Sequence, residues 1–276
     1  MGKYCLIGHP LGHSVSPMIH SRLFAISGKS GEYTLKDIPT GGLAGAMDEL
    51  RGLDGFNVTI PYKQDIIPLL DGLDDRARFY HAVNTVRRCG GKLLGSNTDA
   101  DGFLHALEDA GIELKGSVLL CGAGGVAAMM AAETLRHGCT LTVATRTVGK
   151  AMNFISSLKR AFPDADVKSA ALPYLSGHYD LILNGTPAGM YPDINISPVP
   201  SAVARKAGAV FDAIYNPIET ELIKLAKENG AKTACGLRML VWQAAAAQEL
   251  WTGAHFTAEN IDGICSEMED FITGRF

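Results

Sequence analysis

Short apolar runs alternate with stretches of helical spacing along nearly the whole chain. Runs bounded by glycine, proline or polar clusters predict strands, and apolar positions recurring at three- and four-residue spacing predict helices. Lys3 to Gly8 reads as a strand, Pro17 to Ser27 as a helix closed by Gly28, and Tyr33 to Ile38 as a second strand. A helix near Leu43 to Leu50 and a strand from Phe56 to Ile60 follow. Pro61 fits the first position of another helix. His81 to Arg87 and Lys92 to Ser96 form a hairpin-like pair around Cys89-Gly90-Gly91, and Asp101 to Ala110, stopped by Gly111, reads as a linking helix.

Beyond residue 116 the pattern becomes a regular βαβ series. Ser117 to Cys121, Thr140 to Thr145, Leu181 to Asn184 and Ala209 to Ile214 read as buried parallel strands with helical stretches between them. Met239 to Trp251 and about Ala258 to Phe271 read as two closing helices. The predicted fold class is α/β in two domains, the second of nucleotide-binding type.

Composition narrows the function classes. Apolar residues make up 47% of the 276 residues and the net charge is −4, with no basic run, so nucleic acid is not an expected partner. The six cysteines are scattered, with no C-x-x-C pair and no His/Cys cluster, which fits reduced thiols and supports neither a metal site nor a disulfide framework. The N-terminus lacks the pattern of a secretory leader, and the uncharged run from Gly116 through Ala132 is broken by glycines. A soluble, cytoplasmic protein without a membrane span is expected.

The clearest chemical motif is the turn Gly122-Ala123-Gly124-Gly125-Val126-Ala127, of G-x-G-x-x-A form, placed after a strand and opening a helix of small residues. Gly122 permits the tight turn, Gly124 lets backbone approach a pyrophosphate, and Ala127 lets helix and sheet pack closely. The helix N-terminus favours the ligand's negative charge. The next strand ends in Thr145-Arg146-Thr147, with Lys150 beyond and no carboxylate at the place where one binds a bare ribose. Two hydroxyls and two cations suit a 2′-phosphate, so NADP is preferred over NAD; the alternative is an ordinary surface arginine.

Lys63 is the other informative residue. In the first turn of a helix begun by Pro61 it would meet the positive end of the dipole, directly after a strand C-terminus where α/β proteins place ligands. Such a setting would lower the lysine's pKa and suit it to proton transfer. Ser16, before Pro17, is a natural N-cap, whereas Ser14 is not explained by capping; together they offer a carboxylate site. Asp99 and Asp101 both stand where a carboxylate would cap the linking helix, leaving the other for chemistry. Asn84 interrupts a good strand. Gln243 lies on a small, apolar helix, suiting either a ligand hydrogen bond or a buried network. Tyr215 is either a cleft residue or a strand-end aromatic.

Taken together, these motifs resemble the shikimate dehydrogenase family. They include Gly8 through Pro17, Asn57-Val58-Thr59-Ile60-Pro61-Tyr62-Lys63, Ala82-Val83-Asn84-Thr85 and Asn97-Thr98-Asp99-Ala100-Asp101-Gly102. Further on come Gly122 through Gly125, Asn184 through Met190, and Gly236 through Gln243, all in family order. The resemblance implies reversible NADP-linked reduction of 3-dehydroshikimate to shikimate, within aromatic amino-acid biosynthesis. It implies a substrate domain of residues 1–100 and 238–276 and a Rossmann-type NADP domain of residues 101–237, with the C-terminal helices returning to the first. Ser14 and Ser16 would hold the substrate carboxylate, with Tyr215 nearby. Thr59, Lys63, Asn84, Asp99 and Gln243 would surround the ring hydroxyls, with Lys63 and Asp99 catalytic. Gly122, Ala123, Gly124, Gly125, Val126, Thr145, Arg146, Thr147, Lys150, Thr186, Pro187, Ile214 and Gly236 would bind the cofactor. The small-molecule substrate is the expected partner, and the chain would act as a monomer or homodimer.

Two departures stand out. Thr145 replaces an asparagine frequent in NADP-binding members, and Lys150 replaces a later arginine; both keep polarity or charge. Arg238 occupies a position where small residues are frequent. A quinate/shikimate dehydrogenase using NAD or NADP, and an enzyme acting on an altered ring acid, are the nearest alternatives. A non-catalytic dinucleotide-binding sensor is the alternative of another class, and the presence of both Lys63 and Asp99 argues against it.

Overall fold

The computed structural model describes residues 1–12 and 14–275; His13, within the Gly8–Pro17 motif, lies outside them. The chain divides into two compact units, one of Met1–Gly102 with Val241–Met268 and one of Phe103–Leu240 with Glu269–Phe276.

The first unit is built on a six-stranded sheet of β1 (Gly2–Gly8), β2 (Gly31–Asp37), β3 (Gly55–Val58), β4 (Gly72–Leu73), β5 (Thr85–Cys89) and β6 (Lys92–Ser96), in the order β2-β1-β3-β5-β6-β4. Tyr4 through Gly8 are all buried, as a strand covered on both faces requires, and β1 pairs in parallel with both β2 and β3. The β5–β6 hairpin closes through Gly90 and Gly91, both at positive φ (57° and 79°), the backbone that a two-residue hairpin turn demands. Helices α1 (Ser16–Ser27), α2 (Leu43–Leu50) and α3 (Asp75–Tyr80) accompany the sheet. Ile7, Leu50, Phe56, Val58, Tyr62 and Val86 are among the buried residues of its core.

Helix α4 (Asp99–Asp109) leads to β7 (Ser117–Cys121), α5 (Gly125–Arg136), β8 (Thr140–Thr145), α6 (Val148–Ala161), β9 (Val167–Ala171), β10 (Leu181–Asn184), α7 (Ser201–Ala204), β11 (Ala209–Asp212), α8 (Glu221–Lys227) and β12 (Lys232–Cys235). These strands form a wholly parallel sheet in the order β12-β11-β10-β7-β8-β9. The order reverses between β7 and β10, the switch point beyond whose strand ends a doubly wound sheet binds its ligand. Helices α9 (Gly236–Thr252) and α10 (Ala258–Arg275) close the chain. Strands β7, β8 and β10 coincide with the apolar runs read from the sequence, whereas β11 ends at Asp212, two residues before the expected Ile214. The edge strands β9 and β12 were not expected, because their exposed faces carry lysine, serine and threonine instead of a continuous apolar run.

Three local expectations are corrected. No helix follows Pro61: residues 60–66 form successive turns and then a short 3₁₀ segment, Ile67–Leu69. The Lys63 carbonyl accepts from Val83 N–H at 2.8 Å, a cross-chain bond that takes the place of an intrahelical one. Lys63 therefore does not sit in the first turn of a helix of its own. Ser16 is not the N-cap of α1: Val15 holds that position, and the Ser16 amide donates to Ser14 Oγ at 3.3 Å. Neither Asp99 nor Asp101 caps α4, since Thr98 supplies the carbonyl that accepts the Gly102 amide and both aspartates lie within the first turn.

Candidate active site

In the first unit, the C-terminal end of β3 and the start of β5 bring the predicted polar residues together. Lys63 Nζ donates to Asp99 Oδ2 at 2.5 Å. Asn84 Nδ2 donates to Asp99 Oδ1 at 2.9 Å, so each carboxylate oxygen has its own donor. Asp99 also sits in the first turn of α4, where the dipole favours an anion. Asn84 is buried, and its Oδ1 accepts from Thr98 N–H at 2.7 Å, which fixes the orientation of the amide. Gln243 Oε1 lies 3.3 Å from Asn84 Nδ2, and the Gln243 carbonyl accepts from Thr98 Oγ1 at 3.0 Å. A lysine ammonium has three hydrogens, so the pair with Asp99 leaves two to meet a ligand.

Behind this group lies a polar layer that the sequence did not reveal. Tyr33 OH donates to Asn57 Oδ1 at 2.7 Å, and Asn57 Nδ2 donates to the Asn84 carbonyl at 3.1 Å and to Thr85 Oγ1 at 3.0 Å. Thr85 and Thr98 hydroxyls meet at 3.1 Å. The available signal was an amide, Asn57, inside the apolar run Phe56 to Ile60.

Ser14 and Ser16 stand together at the start of α1, Ser14 Oγ donating to Ser16 Oγ at 3.0 Å. Their loop is pinned by Asp37, whose carboxylate accepts from Leu11 N–H at 2.8 Å and meets His9 Nδ1 at 2.6 Å. Those two partners hold the Asp37 carboxyl below its ordinary value, the His9 bond contributing most. Thr59 follows β3, its amide donating to the Ile7 carbonyl at 2.9 Å.

In the second unit a cleft of about 1030 Å³ opens beside the ends of β7, β8 and β10. Gly122, Ala123, Gly124, Thr145, Arg146, Thr147, Lys150, Thr186 and Pro187 line it, and the other expected cofactor residues Gly125, Val126, Ile214 and Gly236 are not among its lining residues. Gly122 has φ +108°, and a Cβ there would come within 3.0 Å of the Gly185 carbonyl and the Thr186 methyl. Gly124 precedes α5 in an extended conformation with no side-chain cap, leaving the first helical amides of Gly125 and Val126 for an anion. Ala127 packs closely on Gly185, where an added Cβ would come within 3.1 Å of the Ala127 methyl. The cleft thus fits a dinucleotide: a glycine turn under a helix N-terminus at one end and cations at the other. Arg146 and Lys150 have no carboxylate partner among the described residues. Thr145 differs in role, because its hydroxyl proton is given to the Thr147 carbonyl at 2.6 Å and shapes the turn.

Ile214, Tyr215 and Gly236 lie beyond β11 and β12. The Gly236 amide donates to the Ile214 carbonyl at 2.9 Å, and a Cβ on Gly236 would collide with the Ala213 carbonyl. Burial pushes the Tyr215 phenol upward. Arg238 pairs with Asp109 at 2.7 Å, which accounts for a large cation at that position.

Residues 6–86 match the family model described as the shikimate dehydrogenase substrate binding domain. A shikimate dehydrogenase (NADP(+)) of Moorella thermoacetica is 38% identical over 274 residues, covering 96% of this chain and 93% of its own. One of Halothermothrix orenii is 40% identical over 262 residues, covering 90% of each chain. Among solved structures, shikimate 5-dehydrogenase of Thermus thermophilus in complex with NADP(H) and shikimate superposes with a TM-score of 0.86 at 34% identity. It covers 97% of this chain and 99% of its own.

Proposed function

This chain belongs to the shikimate dehydrogenase family, and from that membership we propose that it reversibly reduces 3-dehydroshikimate to shikimate with NADPH. The observation that carries the chemistry is the Lys63–Asp99 pair at 2.5 Å, oriented by Asn84. NADPH, when bound, supplies a hydride to the ring carbonyl carbon. Lys63 delivers the proton to the carbonyl oxygen and takes it back in the oxidative direction. Asp99 keeps the ammonium aimed and balances its charge. Asn84 and Gln243 orient ring hydroxyls, with Thr59 beside them, and the Ser14 and Ser16 hydroxyls hold the ring carboxylate.

Within the second unit, the glycine turn at Gly122–Gly125 and the first amides of α5 at Val126 bind the pyrophosphate, and Arg146, Thr147 and Lys150 bind the 2′-phosphate. Thr186, Pro187, Ile214 and Gly236 complete the cofactor site. The first unit is the substrate domain and the second the NADP domain. Six cysteines that form no disulfide fit a reducing compartment such as the cytoplasm.

The test is nicotinamide absorbance over time with shikimate or quinate, each with NADP or NAD. Turnover concentrated on shikimate with NADP supports this function. Comparable turnover of quinate, or a preference for NAD, moves the enzyme to the quinate/shikimate branch.

A further inference from the structure

Asp212, the last residue of β11, is fully buried, and no cation is among its partners. Its carboxylate instead collects three donors. Thr220 Oγ1 donates to Oδ2 at 2.7 Å, while Asn184 Nδ2 and Ile214 N–H donate to Oδ1 at 2.9 and 3.1 Å. A buried carboxylate is costly to desolvate, and a neutral side chain would end the strand at lower cost. What the charge secures is visible in the groups it holds.

One branch runs through Asn184. With its amide nitrogen committed to Asp212, its Oδ1 faces the next turn and accepts from both Thr186 N–H (3.0 Å) and Thr186 Oγ1 (2.7 Å). Thr186 Oγ1 in turn accepts from Ala188 N–H at 3.2 Å. Every donor in this chain points back towards the carboxylate, and Thr186, Pro187 and Ala188 line the cofactor cleft. The other branch holds the segment after β11: the Ile214 amide and the Thr220 hydroxyl fix its two ends, and the Ala213 amide donates to the Asn184 carbonyl at 3.0 Å. One side chain thus ties together both loops that leave the sheet beside the switch point.

We propose that Asp212 is a positioning residue for the cofactor, its carboxylate preforming the Thr186–Ala188 and Ile214–Tyr215 loops so that NADP binds without reordering them. The inference rests on the NADP function proposed above. Burial pushes the Asp212 acid up to about 6, so the carboxylate becomes a full acceptor as pH rises through that value. The titratable groups that feel it are Cys121 on β7 and Cys235 on β12. Burial pushes both thiols up, which keeps them neutral through the same range.

The experiment is a fluorescence titration with NADPH from pH 5 to 8, on the full chain and on Asp212→Asn, Thr220→Val and Thr220→Ser, with steady-state kinetics and melting curves. Asp212→Asn is expected to raise Kd for NADPH about tenfold at neutral pH, with kcat at saturating NADPH within about twofold. It should also lose the change in affinity near pH 6 that remains in the wild type after the ligand's own titration is matched. Thr220→Val should weaken NADPH by about threefold and Thr220→Ser should restore it. Folded Asp212→Asn with wild-type affinity and pH profile overturns the proposal. If Asp212→Asn does not fold, an unchanged Kd in Thr220→Val overturns it instead. Failure of the wild type itself to bind NADPH would remove the cofactor function on which the inference rests.

Discussion

Asn84 and Asp99, fifteen residues apart in sequence, meet through an amide–carboxylate hydrogen bond of 2.9 Å. The bond lies at the entrance to β5, which begins only at Thr85, and it aims the Asp99 carboxylate. Thr98 N–H fixes the Asn84 oxygen, so the Asn84 nitrogen must face Asp99, and the second Asp99 oxygen is left for Lys63. Lys63 is held by this carboxylate rather than by the start of a helix.

Removing the ammonium while keeping the surrounding scaffold should therefore strike the chemical step. Lys63→Ala is expected to lower kcat by about 10²–10⁴-fold, with a much smaller change in KM for shikimate. Steady-state kinetics in both directions checks this. A rise in KM at nearly constant kcat would make Lys63 an electrostatic anchor only.

Asn84→Ala should cost both stability and rate. It leaves the buried Thr98 amide and one Asp99 oxygen without their partners, for about 1–3 kcal/mol in urea unfolding. kcat should fall at the same time, because Asp99 loses its fixed orientation. An unchanged unfolding midpoint would mean that other groups replace the lost bonds.

The sequence showed most where one local pattern suffices. The turn at Gly122 needs positive φ and a nearby backbone, and both requirements are readable as glycines between a strand and a helix. The helical setting expected for Lys63 does not form, because the Val83–Lys63 bond that replaces it is long-range and leaves no trace in the local pattern. Thr98 and Tyr33 remained hidden for a related cause: their value lies in partners on other elements, Asn84 and Asn57. Edge strands β9 and β12 carry too little apolar patterning to be distinguished from loops.

Arg146 and Lys150 line the cleft without a carboxylate partner among the described residues, so their charges are available to a phosphate. Arg146→Ala should raise KM for NADP by about ten- to a hundredfold and leave KM for NAD nearly unchanged. The loss should shrink as ionic strength rises, since the site is open to solvent. Equal losses with both cofactors would assign Arg146 to the general shape of the cleft instead of to the 2′-phosphate.

His20 makes acid stability a separate test of the first unit. Its ring is fully buried, stacked on Tyr33 with centroids 3.9 Å apart, and Gln248 Nε2 lies 3.3 Å from its Nδ1. Burial lowers its pKa from 6.5 to about 3. A folded value below the unfolded one means that the folded state binds fewer protons between the two. The stability this neutral ring contributes is complete above about pH 6.5 and is lost as pH falls towards 3. Between pH 6.5 and 4 that loss is about 3 kcal/mol for this single group. His20→Phe keeps a stacking ring but has no proton to gain, so its urea stability relative to wild type should improve by that amount over the interval. Parallel pH dependence in the two proteins would show that His20 is not the group whose protonation opens the unit in acid.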